Sequence, residues 1–191
     1  MRKFLLLALI CCYHAVKAQG DLPIRPELLH GSWPASWITC PGASDREYGV
    51  YHFRRSFDWK GEPGAVIVHV SADNRYRLFV NGKAVSSGPA RGDLYNWYFE
   101  TVDIAPYLKV GSNTIAALVW NMGTDAPVAQ ISNRTAFVLQ GEGEYEKALN
   151  TGGTGWKVMQ DKAYTACSKN MGSVLWSYYV VGPGDDVDAS A

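Results

Sequence analysis

The stretch Ser71-Ala72-Asp73-Asn74-Arg75-Tyr76-Arg77-Leu78-Phe79-Val80-Asn81-Gly82-Lys83 decides the fold class. Tyr76, Leu78 and Val80 alternate with Arg75, Arg77 and Phe79. A period of two is the pattern of a strand with one face in a core. The strand runs straight into Asn81-Gly82, and Lys83 to Ser86 continues beyond it. A type I′ turn needs positive φ at both central positions, which Asn and Gly tolerate, so the segment predicts a β-hairpin.

The same grammar recurs outward in both directions. Upstream, Tyr51, Phe53 and Phe57 fall on one face of a strand, and Ala65 to Val70 is an apolar run closed by Ser71-Ala72-Asp73-Asn74. There Asp73-Asn74 reads as a turn pair bonding its local backbone. Downstream, strands are predicted over Trp97 to Ile104, Thr114 to Trp120 (buried), Arg134 to Gln140, Trp156 to Gln160 and Val174 to Val181. Between them, Asp103 to Leu108 reads as a short helical turn or a corner, capped by Asp103, since Pro106 forbids a central strand, and Gly111-Ser112-Asn113 as a turn. About nine short strands, with no sustained helical period and no repeat, predict an all-β jelly-roll sandwich. A chain of 191 residues has room for one such domain.

The two ends read differently. Arg2 and Lys3, the apolar stretch Phe4 to Tyr13, and Val16-Lys17-Ala18 make a secretory signal peptide over residues 1–18, too short to span a membrane. Residues 19–32 read as an extension and 33–191 as the sandwich. The expected destination is the periplasm or the exterior. The tail Gly182 to Ala191 shows no closing strand, so the sandwich is expected to be truncated there.

Composition removes several function classes. The chain carries 18 basic and 18 acidic residues; loss of Arg2, Lys3 and Lys17 with the signal leaves 15 against 18. A nucleic-acid partner would call for a basic patch, and none is evident. No other segment is apolar enough to cross a membrane. Cys11 and Cys12 leave with the signal; Cys40 and Cys167 remain, either bonded across the sandwich or as two separate buried thiols. No CxxC or paired His predicts a metal, and no motif predicts a cofactor.

Catalytic residues are not expected either. Glycoside hydrolysis needs two carboxyls across one bond. Asp58, Glu62, Asp73, Asp93, Glu100, Asp103 and Asp125 show no pairing pattern. There is no Gly-x-Ser-x-Gly elbow, and His69 lies in an apolar run as a satisfied sheet histidine. Carbohydrate contact is the functional reading left. Aromatics make up 13% of the chain, which serves either core filling or sugar stacking. Arg91, Asp93, Tyr95 and Trp97 combine planar polar groups and rings in one loop, and Trp120-Asn121 ends a strand where loops gather. The structural alternative makes Trp97 and Trp120 core and pairs Arg91 with Asp93.

The hairpin stretch, followed by Gly88-Pro89-Ala90-Arg91-Gly92-Asp93, resembles the N-terminal β-sandwich of bacterial α-L-rhamnosidases. Trp33-Pro34-Ala35-Ser36-Trp37-Ile38 supports it, as do Asp103-Ile104 with Leu108, Gly111 and Asn113, and the likeness runs from Trp33 to Asp188. It implies a galactose-binding-like jelly roll and, as partner, a downstream (α/α)6 barrel whose acidic residues cut terminal α-L-rhamnose with inversion. No catalytic residue is carried over onto this chain. A free-standing carbohydrate-binding module, or a structural jelly roll packed on another domain, are the alternatives.

Overall fold

The computed structural model describes residues 22, 24–167 and 182–190. The signal segment and the strand expected over Val174 to Val181 lie outside these residues. Ten strands occur among the described residues: β1 (Gly49–Trp59), β2 (Ile67–Asp73), β3 (Arg75–Val80), β4 (Lys83–Gly88), β5 (Glu100–Asp103), β6 (Gly111–Asn121), β7 (Ala136–Gly141), β8 (Lys157–Asp161), β9 (Tyr164–Cys167) and β10 (Gly184–Val187). Two short helices, α1 (Pro26–His30) and α2 (Glu146–Leu149), accompany them.

A five-stranded sheet in the order β4-β3-β6-β1-β8 faces a three-stranded sheet in the order β5-β2-β7, and β9 pairs with β10 in a separate ribbon. Every pairing is antiparallel. The alternation seen in the sequence sets the packing. Tyr51 and Phe53 of β1, Tyr76 and Leu78 of β3, and Ile115 and Ala117 of β6 point inward. They meet Val68 and Val70 of β2 and Phe137 and Leu139 of β7. The rings of Phe53 and Phe137 lie 5.1 Å apart across this core. The fold is the all-β sandwich expected.

The hairpin is a two-residue turn with Val80 opposite Lys83. Asn81 has φ 50° and Gly82 φ 81°, as the type I′ reading requires. Asn81 also ties the turn to the neighbouring strand: its Nδ2 donates to Tyr107 O and Asn113 Oδ1, and its Oδ1 accepts from Thr114 N.

Several boundaries differ from expectation. Gly111 to Asn113 open β6 instead of forming a separate turn, and β6 alternates buried and half-buried residues, because its second face lies on the outside of the five-stranded sheet. The strand expected from Trp97 begins only at Glu100, since Asp93 folds the preceding residues into a hydrogen-bonded loop. The tail does hold a strand, for Gly184–Val187 pairs with Tyr164–Cys167. Asp73-Asn74 bonds distant rather than local backbone: Asp73 Oδ2 accepts from Asn133 N and Arg134 N, and Asn74 Oδ1 from Met122 N. Cys40 and Cys167 are free thiols. Cys40 packs against the sandwich core, while Cys167 is exposed at the end of the β9–β10 ribbon.

The three-stranded sheet is buried on both faces: every residue of β2 and of β7 is covered. Its outer cover is the N-terminal segment. Ile38 bridges to Phe137, Ala35 N donates to Gln140 Oε1, and Trp33 stacks edge-on against His69 and Phe99. Leu28 of α1 is buried.

Candidate functional site

On that outer face the cover is incomplete and leaves an open cleft of about 1010 Å³. Ser71 of β2 and Val138 of β7 form its floor. One wall is the N-terminal segment, with Leu29, Trp33 and Trp37; the other is the loop from Arg91 to Phe99.

The loop wall is held by its own polar groups. Asp93 Oδ1 accepts from Tyr95 N at 2.7 Å and from Asn96 N at 2.9 Å, and Oδ2 accepts from Asn96 Nδ2 at 3.0 Å. The Asn96 side chain, with these backbone donors, holds the Asp93 carboxyl below its ordinary value. Gly92 is required here, because a Cβ would lie 2.1 Å from Asn96 O. Ser71 Oγ donates to Tyr98 O at 2.7 Å, which pins the loop to the floor.

Across the mouth, Trp37 and Trp97 meet edge to face, with centroids 6.1 Å apart and planes at 87°. Trp37 is 47% exposed and Tyr98 52%. Trp97 is half-buried, and its Nε1 is buried without a partner among the described residues, as is Gln130 Oε1 on the small cavity behind the loop. Arg91 is exposed and makes no hydrogen bond or ion pair among the described residues; the Arg91–Asp93 pair does not form.

Arg91, Asp93 and Trp97 are thus brought together. The other sequence candidates are not. Tyr95 is 96% exposed at the loop tip and does not line the cleft. Trp120 stands half-buried on the outer face of the five-stranded sheet, opposite Val50 and Arg75. Asn121 is buried and structural, donating to Thr135 Oγ1 and accepting from Gly123 N. Sequence reasoning missed Trp33 and Trp37 as site residues. The signal available was two tryptophans in an irregular segment with no strand of their own to fill.

No family model and no curated protein sequence matches the chain. Solved structures do. A GH78 family rhamnosidase of Bacillus sp. GL1 matches 82% of this chain with a TM-score of 0.66 and 27% identity, over 16% of its own length. The α-L-rhamnosidase from Dictyoglumus thermophilum matches 70% of this chain, at a TM-score of 0.52 and 17% identity, over 17% of its length. The resemblance to α-L-rhamnosidases read from the hairpin and the Gly88 to Asp93 run therefore holds in three dimensions. The chain spans about a sixth of the length of these enzymes.

Proposed function

We propose that this chain is the non-catalytic N-terminal β-sandwich module of an exported α-L-rhamnosidase. The observation that carries this reading is the 27% identical match to the Bacillus rhamnosidase over 82% of the chain. In the parent protein a downstream barrel would remove terminal α-L-rhamnose from glycans or glycosides, and the sandwich would serve it as an accessory domain. The chemistry of the cleft agrees with a non-catalytic role. Hydrolysis of a glycosidic bond uses two facing carboxyls, and among the described residues the cleft offers one, Asp93, which accepts from Asn96 and Tyr95 N. The segment from Arg2 to Ala18 supports export.

A second reading, a carbohydrate-binding module in its own right, draws on the half-exposed rings of Trp37 and Tyr98 at the cleft mouth. The coding sequence beyond Ala191 tests the first. An open frame running on into helical hairpins of a barrel is the expected result, and a stop codon directly after Ala191 would overturn it.

A further inference from the structure

We propose that the cleft between the N-terminal segment and the Arg91 to Phe99 loop binds a short oligosaccharide. Its sugar rings would lie against Trp37 and Tyr98, with their hydroxyls on Arg91. The inference rests on the carbohydrate-associated reading of the module and goes further by fixing the residues and the size of the ligand.

Three observations converge. The first is the rings themselves. Trp37 and Tyr98 leave about half their surface in water at the mouth of a concave site, although the adjacent core holds aromatic rings fully buried. Pyranose rings present flat C–H faces that pack on such surfaces. The second is rigidity. Trp97 braces Trp37 edge-on, Asp93 closes the loop on itself, and Ser71 fastens Tyr98 to the floor. The loop backbone and the Trp37 ring are therefore held in place before a ligand arrives, and the ordering left to do falls on the Arg91 and Tyr98 side chains.

The third is the inventory of free polar groups. The Trp37 indole N–H, the Tyr98 hydroxyl and the Arg91 guanidinium have no partners among the described residues. Arginine alone offers five donors in a planar fork. Asp93 makes no contact with Arg91; its oxygens accept from Asn96 and Tyr95 N instead. Free donors beside exposed rings suit a ligand covered in hydroxyl oxygens. The volume, about 1010 Å³, sits at the upper end for small-molecule sites and leaves room for more than one sugar ring.

The test is a titration of the full chain with methyl α-L-rhamnoside, rutinose and cellobiose, following tryptophan indole N–H signals by NMR. The expected result is that the Trp37 and Trp97 signals move with at least one saccharide, and that a disaccharide binds more tightly than the monosaccharide. Trp37→Ala and Tyr98→Ala should each weaken binding tenfold or more, Arg91→Ala should weaken it as well, and Tyr95→Ala should leave it unchanged. Trp37 and Tyr98 are half-exposed, so their truncation should leave the fold intact, which a thermal melt checks. Binding that survives Trp37→Ala in full would overturn this site while leaving a sugar-binding module elsewhere on the chain. No signal movement with any of the three would overturn the site altogether, and the rhamnosidase reading would still stand or fall on the downstream coding sequence.

Discussion

His69 Nε2 lies 2.7 Å from Glu142 Oε1, with the imidazole fully buried in the outer face of β2. Thr101 Oγ1 sits 2.9 Å from the other ring nitrogen, and the rings of Trp33 and Phe99 close over it edge-on. Arg25 reaches the same glutamate at 3.8 Å and Glu146 at 2.7 Å. The arrangement suits a neutral imidazole that donates from Nε2 to Glu142 and accepts at Nδ1 from the Thr101 hydroxyl. It fastens the N-terminal segment, and with it one wall of the cleft, to the three-stranded sheet.

Burial holds the His69 imidazole below its ordinary value; Glu142 works against this and Arg25 reinforces it. A depressed histidine binds fewer protons folded than unfolded. Stability should therefore be fully present above the ordinary histidine value, about 6.5, and fall as the pH drops below it. Urea melts at neutral and mildly acidic pH check this, with His69→Gln as the control. The variant should be less stable at neutral pH and show a smaller loss on acidification. An equal loss in both proteins would place the titrating group elsewhere.

Gly82 has φ 81° with nothing near its missing Cβ. Gly82→Val therefore meets no clash with the rest of the protein, only the backbone cost of a β-branched residue in the left-handed region. Destabilisation of about 1–2 kcal/mol is expected. An unchanged melting temperature would mean that the turn rearranges without cost.

Residues 19–191 should release no rhamnose from an aryl α-L-rhamnoside, because among the described residues no second carboxyl lines the cleft with Asp93. Turnover that survives rigorous purification and vanishes when one Asp or Glu is replaced would refute this.

Local chemistry was the legible part of the sequence. Asn81-Gly82 announced its turn because the φ requirement lies within the dipeptide, and Tyr76, Leu78 and Val80 announced their face by spacing. The loop half of the cleft was also readable, since Arg91, Asp93 and Trp97 lie within a few residues of one another. Its other wall was not. Trp37 reaches Trp97 only because Ile38 bridges to Phe137, a pairing with no local signal. Trp120 lies away from the cleft for a related reason: it ends a strand as its sequence position indicates, and only the sheet order puts its side chain on the outer face of the other sheet. Asp73-Asn74 had turn-forming side chains, and their acceptors serve backbone brought in from residues 122 to 134 by the fold.

Gly92 offers the sharpest test of how the loop wall is built. An added methyl would sit 2.1 Å from Asn96 O and 2.8 Å from the Tyr98 ring. The backbone carbonyl cannot swing aside freely, because Asn96 O accepts from Asp93 N at 3.2 Å and Asp93 in turn holds Asn96. Gly92→Ala must open this closed loop or push Tyr98 off the floor. Overpacking of this kind costs on the order of 1–3 kcal/mol. The core lies on the other side of the three-stranded sheet, so the sandwich itself should still form. The expected outcome is a lowered melting temperature with unchanged far-ultraviolet dichroism. The near-ultraviolet signal should change as the Trp37–Trp97 pair is disturbed, and saccharide binding should fall with it. A Gly92→Ala protein that keeps its stability and its near-ultraviolet spectrum would show that the loop accommodates the methyl by a path the hydrogen bonds of Asp93 do not forbid.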